Sequence, residues 1–313
     1  MGKSLNVAIC QFASIPPTTP NNGELNLARA HDFVRQAAQQ GAQLVVFPEY
    51  FLSGIIADPQ HHYLAQVPHH EHATVTSSSS TKAEQVTHWL ETFRLLAVEL
   101  RIDIVPGTIV ERGLDSDQLH NVAHYISREG TIKGRYVKRN LWHPEKTYLT
   151  RGEEEHQVFG TEWGKVGMLI CWDLAWPEAF QALLLQGVDI IIIPTCWLGT
   201  DGDDIGLLHD PHCEEKFLDA TIISRAFENE CVIVFVNAGG EASQGWIGRS
   251  GVTVPFKGKI GGTKDEKEEL VVVKVDLGIL EVGAMLDART VYGLRKDLVE
   301  KVRQRKEATE TAN

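Results

Sequence analysis

The chain has no run of ~18 apolar residues, so no helix of it is expected to cross a bilayer. Its start, MGKSLNVAICQF, lacks the long apolar core of a secretory signal and reads as a strand almost at once. Basic residues are outnumbered 30 to 42, for a formal net charge of −12. That balance argues against nucleic acid or an anionic membrane as the main partner. No CxxC pair occurs among the five cysteines, Cys10, Cys171, Cys196, Cys213 and Cys231. An odd count, with most of them in or near apolar strand-like segments, fits a reduced, cytoplasmic protein without a disulfide framework. No low-complexity linker divides the 313 residues. One domain is expected over 1–295, followed by a polar tail over 296–313.

What is there is an alternation of strand-like and helix-like segments. LNVAICQF reads as a strand, and Glu24 to Gln40 has helical spacing that Gly41 stops. AQLVVFPE is a buried strand ending at Pro48-Glu49, and Lys82 to Leu100 is helical again. DIVPGTIVER, HNVAHYISREG and TIKGRYVKRN read as three strands with hairpin-like turns. HQVFGTEWGKVGMLIC is a hairpin feeding a buried strand, followed by a short helix from Pro177 to Gln186. VDIIIIPTCW is so apolar that both its faces must be covered. A helix over 212–230, the buried strand CVIVFVNAGG, and two further strands, SGVTVPFKGKI and ELVVVKVDL, complete the pattern. Strands buried on both sides and interleaved with amphipathic helices imply a layered α/β domain.

Three side chains share one structural address. Glu49 ends LVVFPE, Lys138 ends GRYVK and Cys171 ends VGMLIC. Ligand sites in α/β sheets gather at the carboxyl ends of strands, so all three could face one crevice. Singly, each has an ordinary reading: a small buried hydrophobe for Cys171, a turn carboxylate for Glu49, a solvated lysine between Arg135 and Arg139 for Lys138. Together they make a chemistry. A thiol attacks a carbonyl as thiolate, so it needs a base; a carboxylate beside a lysine can take its proton. The lysine and a backbone N–H can then hold the oxyanion, with no histidine required.

LVVFPEYFLSG, YVKRNLWHPEKTYLTRG and ICWDLAWPE resemble the three blocks of the nitrilase, or carbon–nitrogen hydrolase, superfamily. SRAFENECVIVFVNAGG and GRSGVTVPFKG extend the resemblance to about Arg295. It implies an α-β-β-α sandwich, often paired through its helical layers as a homodimer or larger oligomer. It implies Glu49 as base, Lys138 as the catalytic lysine and Cys171 as nucleophile. The family's second glutamate falls on Glu145, seven residues past Lys138, in a Pro-Glu pair where Gly-Glu is usual. Its implied role is to position Lys138 and the substrate or water; otherwise it is a surface partner of Lys146 or Arg151. The activity implied is cofactor-free hydrolysis of a small linear amide or N-carbamoyl amine through a Cys171 thioester.

Substrate choice has its own clues. Relatives acting on acids often read Cys-Tyr-Asp-x-Arg-Phe-Pro-Glu, and here Ala175 stands at the arginine. A methyl group cannot replace a guanidinium that pairs with a carboxylate. The CWD sequence is similar to N-carbamoylputrescine amidases, whereas nitrilases proper usually read Cys-Trp-Glu. Trp172 and Trp197 are expected either in the pocket wall or in packing. The acidic stretch GTDGDDIGLLHD, with Asp201, Asp203, Asp204 and Asp210, is either a pocket rim or a solvated loop. The histidines at 61, 62, 69, 70 and 72 sit in a Ser-rich loop over 57–81 without metal-site spacing, so no metal is expected there. A lid is the alternative use of that loop. A nitrile-hydrolysing enzyme and a catalytically silent binding protein are the competing readings of the whole chain.

Overall fold

The computed structural model describes residues 3–66, 82–113, 116–280 and, in the tail, 300, 301, 303 and 304. Most of the 296–313 tail and His69, His70, His72 and Ser77–Ser80 lie outside the described residues.

Two sheets stack between two helical layers, an α-β-β-α sandwich. The first sheet has seven strands. Its path runs β13 (Glu269–Asp276), β1 (Ser4–Gln11), β2 (Leu44–Val46), β3 (Asp103–Val105), β5 (Leu119–Ile126), β4 (Thr108–Arg112), and β6 (Ile132–Val137) also pairs with β5. The second sheet has six strands in the order β12 (Gly258–Gly262), β11 (Gly251–Val254), β10 (Val232–Asn237), β9 (Ile190–Thr195), β8 (Gly164–Met168), β7 (Val158–Thr161). The centre of each sheet is parallel, β1 to β2 to β3 and β8 to β9 to β10, and the margins are antiparallel.

Alternation along the strands sets the layers. Leu5, Val7 and Ile9 of β1 and Leu44 and Val46 of β2 face the second sheet, packing in one core with Val166, Met168, Ile190 and Ile192. Ala8, Cys10 and Val45 take the other face, under Leu27, Ala30 and Val34 of α1 (Asn22–Gln39) and Phe93, Leu96 and Ala97 of α2 (Lys82–Leu100). On the far side, Ala179, Phe180 and Leu183 of α3 (Pro177–Leu185) and Leu218, Ile222 and Ala226 of α5 (Cys213–Asn229) cover the second sheet.

Local differences from the sequence reading have simple causes. DIVPGTIVER is two strands, β3 and β4, because Pro106-Gly107 breaks it. SGVTVPFKGKI is likewise two, β11 and β12, turning at Phe256 and Gly258, both at positive φ. Part of the acidic stretch winds into α4 (Asp203–His209), with Asp203 and Asp204 at its positive N-terminal end.

Candidate active site

Four of the expected residues meet at the carboxyl ends of the strands. Lys138 follows β6, and its Nζ donates to Glu49 Oε1 at 2.8 Å and to Glu145 at 2.7–2.8 Å. Glu49 lies three residues past β2, and Glu145 sits in a 3-10 turn, Pro144–Thr147. Cys171 opens a second 3-10 turn, Cys171–Ala175, just past β8. All four are buried, with Lys138 only 1% exposed and Glu49 2%. Neither the solvated lysine nor the surface glutamate describes this chain.

Each group is held from several directions. Glu49 lies between Phe47 and Phe51, whose rings stack at 4.7 Å in an aromatic cluster with Phe12 and Phe93. Gly107 presses against the same segment: a Cβ there would come within 1.9 Å of the Pro48 carbonyl oxygen, and its φ is +49°. Only glycine fits that approach and that backbone region. Beyond Lys138, Glu49 Oε1 accepts Asn121 Nδ2 at 2.7 Å, and Oε2 accepts the Cys196 N–H at 3.0 Å. Glu145 Oε2 accepts the Trp142 N–H at 2.7 Å, and its Oε1 accepts the Tyr50 hydroxyl.

The Cys171 turn is pinned by Asp173. This carboxylate is fully buried and accepts the Ile170 N–H at 2.9 Å, the Tyr136 hydroxyl at 2.8 Å, and the Asn140 N–H and Nδ2 at 3.1 and 2.8 Å. Tyr136 and Asn140 flank Lys138, so one carboxylate ties the cysteine turn to the lysine segment. Cys171 itself sits at φ +46°, in the left-handed region that side chains with a Cβ rarely adopt. Such strain persists only where the surroundings overdetermine it, and it is commonest at functional sites. A second clamp holds the neighbouring turn: Asn237 accepts the Trp197 N–H at 2.8 Å and donates back to the Trp197 carbonyl at 2.9 Å.

Burial shapes the proton affinities. It pushes the Glu49 carboxyl up to about 7; the Lys138 ammonium works against this shift and Glu145 adds to it. Burial raises the Cys171 thiol well above its ordinary value, with Glu49 adding and Lys138 opposing. For Lys138, burial favours the neutral amine, but Glu49, the Cys171 sulfur and Glu145 together raise its pKa. The resting arrangement is therefore a neutral thiol, a firm ammonium and a carboxylate that exchanges protons near neutrality. The Cys171 thiol donates a long hydrogen bond, 3.9 Å, to the carbonyl of Cys196, the residue whose N–H binds Glu49.

A cavity of about 70 Å³ opens on these groups, room for a handful of waters or a small acyl compound. Trp172 and Trp197 line it, their rings 5.2 Å apart, together with Tyr50, Trp142, Tyr148 and Asp201. Ala175, expected to face substrate, is not among the residues of this wall; it ends the 3-10 turn that Cys171 opens. Of the acidic stretch, only Asp201 reaches the cavity; Asp210 pairs with Lys216. Ile55 and Ala57, at the start of the His-rich segment, also line it, and His62 stacks on Tyr148 at 6.4 Å. Among the described residues, no cluster of three metal-binding side chains forms. Tyr50, Asn121 and Cys196 were not singled out as site residues from sequence. Only Tyr50 carried a local signal, as the immediate neighbour of Glu49 in PEYF.

Comparison with known proteins agrees with this architecture. The carbon–nitrogen hydrolase family profile matches residues 6–282. A probable nitrilase of Schizosaccharomyces pombe is 26% identical, over 80% of this chain and 83% of that protein. The N-carbamoylputrescine amidase of Arabidopsis thaliana is also 26% identical, over 82% and 83%. Among solved structures, Saccharomyces cerevisiae Nit3, a member of branch 10 of the nitrilase superfamily, superposes with a TM-score of 0.73 at 22% identity, covering 91% of this chain and 94% of that one. An amidase from Nesterenkonia sp. AN1, with the acetamide moiety of fluoroacetamide on its active-site cysteine, gives 0.68 at 22% identity over 92% and 97%. With the family profile spanning nearly the whole described fold, the chain belongs to the carbon–nitrogen hydrolase family.

Proposed function

We propose that this protein hydrolyses a small linear amide or N-carbamoyl amine through a thioester on Cys171. The observation that carries the reading is the Glu49–Lys138–Glu145 hydrogen-bonded set beside a buried, strained cysteine at the floor of a small cavity.

The steps follow from the proton affinities. A thiol this buried stays protonated at rest, so Glu49 takes its proton as Sγ bonds to the substrate carbonyl carbon. Negative charge moves to the carbonyl oxygen. Lys138 spends two N–H bonds on carboxylates and has a third for this oxyanion, with the Trp172 N–H as the second donor. The tetrahedral adduct collapses, the C–N bond breaks, and Glu49 returns its proton to the leaving nitrogen. Ammonia or an amine departs, leaving the thioester. Water then gives a proton to Glu49 and its oxygen to the carbonyl carbon; the sulfur leaves and is reprotonated. Glu145 does not touch the reacting atoms. It is a positioning residue that holds Lys138 and is itself fixed by Tyr50 and Trp142.

The test is an ammonia-release panel of amides, N-carbamoyl amines and nitriles, run beside Cys171→Ala. Turnover of amides or carbamoyl compounds that vanishes in Cys171→Ala, with a thioester trapped on the wild type, is the expected result. Full turnover in Cys171→Ala would overturn the thiol mechanism. Preference for nitriles would replace the substrate assignment with that of a nitrilase, and absence of any turnover or Cys171 alkylation would favour a silent binding protein.

The same reading pairs two copies through the outer helices. Helix α5 leaves Ile223 and Phe227 exposed, with Phe256 packed edge-on against Phe227 at 5.7 Å. A homodimer by sedimentation, lost on Phe227→Glu, is the expected outcome; a monomer at all concentrations would remove this part.

A further inference from the structure

The hydrolytic steps leave one buried polar residue of the site without a task. Asn121 lies within β5, is fully buried and does not line the cavity. It touches Lys138, Glu49 and Glu145. Its carbonyl accepts the Lys138 N–H at 2.9 Å, its Nδ2 donates to Glu49 Oε1 at 2.7 Å, and the same Nδ2 lies 3.5 Å from Glu145 Oε1. Its Oδ1 is buried and has no hydrogen-bond partner among the described residues. Asn237, which serves the backbone, is bonded at both ends of its amide. The Asn121 amide is oriented by carboxylates alone. Turning it over would set Oδ1 against Glu49 Oε1, acceptor against acceptor.

The donors around Glu49 are unevenly shared. An ionised carboxylate offers about two lone-pair sites on each oxygen. Lys138 Nζ at 2.8 Å and Asn121 Nδ2 at 2.7 Å fill those of Oε1. Oε2 accepts only the Cys196 N–H among the described residues, at 3.0 Å, so one site stays open there. The two oxygens also turn to different sheets. The Oε1 donors come from β5 and from the residue after β6, both of the first sheet; the Oε2 donor follows β9 of the second. The Cys171 thiol reaches the carbonyl of that same Cys196 at 3.9 Å. The open site is therefore on the oxygen bonded to the residue that the thiol contacts.

Resting on the amide-hydrolase reading above, we propose that Asn121 is a positioning residue that, with Lys138, closes Oε1 of Glu49 to protons and makes Oε2 the oxygen that carries them. In the attack, the S–H bond breaks, an O–H bond forms at Oε2, and the sulfur keeps the electron pair that bonds to the carbonyl carbon. As the C–N bond breaks, Oε2 gives that proton to the leaving nitrogen. The Asn121 N–H also favours the ionised carboxylate and so lowers its proton affinity. The titratable groups around Glu49 are Lys138, Glu145, Tyr50, Tyr148, Cys171 and Cys196. Burial keeps both phenols and both thiols neutral near neutrality. Lys138 opposes the rise in Glu49 and Glu145 adds to it. Asn121 is the neutral side chain that works beside Lys138 in the same direction.

The ordinary role for Asn121 is to fill its place in β5 between β4 and β6. The pH profile separates the two roles. Wild-type kcat/KM should climb as pH rises through about 7. Asn121→Ala should move that limb up by about one pH unit or more, so that activity falls on the order of tenfold at about pH 7 and largely returns at about pH 9. Asn121→Ser, whose hydroxyl can still donate, should lie between, and it serves where Asn121→Ala does not fold. A limb left in place in the folded variants, whatever their stability, would overturn the proposal. A second measurement needs no substrate. The infrared carboxyl band of protonated Glu49, taken at about pH 5 as wild type minus Glu49→Gln, should sit at the low frequency of a C=O that accepts two hydrogen bonds, and should rise in the Asn121 variants. A band that the variants leave unmoved would overturn the proposal as well. If no amide is turned over, the hydrolase reading fails, and the band alone decides whether Oε1 is closed.

Discussion

Glu49, carried by the first sheet, accepts the backbone N–H of Cys196, carried by the second, at 3.0 Å. The proposed general base is thereby bonded across the sandwich, and the two sheets are registered at the candidate site.

The pH profile should show this base directly. Glu49 is held at about 7, chiefly by burial. A base with that affinity is proton-loaded below pH 7 and free above it. kcat/KM should therefore climb as pH rises through about 7 and level off above. Glu49→Gln should lose on the order of 10²–10⁴ in kcat and lose this limb. A wild-type profile flat from about pH 5 to about pH 9 would remove Glu49 from the role.

Replacing Lys138 should cost both stability and activity. Lys138→Met leaves Glu49 and Glu145 buried without their shared cation, a loss of about 3–5 kcal/mol in denaturant melts. The cation also works against the rise in Glu49, so its removal should move any residual acid limb to higher pH. A variant as stable as wild type with an unshifted limb would contradict the bonding described.

Asp173 makes no contact with substrate in this scheme, yet its loss should be severe. Asp173→Ala strands four donors on Ile170, Tyr136 and Asn140. The expected cost is about 3 kcal/mol or more, with kcat falling because the Cys171 turn comes loose from the Lys138 segment. Asp173→Asn, which keeps some acceptors, should fall between. Calorimetry beside kcat measures both, and unchanged values in Asp173→Ala would show that the turn holds itself.

Gly107→Ala tests position without touching any polar group. Its Cβ would strike the Pro48 carbonyl, and the backbone would be strained as well. A loss of about 2 kcal/mol or more is expected, with kcat falling as Glu49 is displaced. Wild-type kcat in a destabilised Gly107→Ala protein would show that the displacement stops short of the carboxylate.

Much of this site was legible because chemistry-bearing residues interrupt apolar runs. Glu49 and Cys171 each stand three residues past a parallel strand of the sheet centres, β2 and β8, and Lys138 directly follows β6, a partly exposed strand antiparallel to β5. Asn121 gave no such signal. It sits mid-strand, and only the β5–β6 register, Val122 opposite Val137, brings it beside Lys138. Asp201 was one of four acids in a single stretch, and no periodicity separates the one that reaches the cavity from the three that do not. The strand breaks at Pro106-Gly107 and near Gly258 were written in turn residues, but the β-branched residues around them read as continuous strands.

The order of the strands carries one more consequence. The first sheet takes β1 to β6 from the N-terminal half, the second takes β7 to β12, and β13 returns to pair along the whole of β1 from Ser4 to Gln11. Glu49 and Lys138 thus belong to one half of the gene product and Cys171, the proposed nucleophile, to the other. A ribosome that has made everything through Cys171 has the residues of the triad but not β9, which places Cys196 against Glu49. On the proposed mechanism, reactivity at the thiol waits for the strands that follow, so an incompletely folded chain carries the cysteine without its base in place.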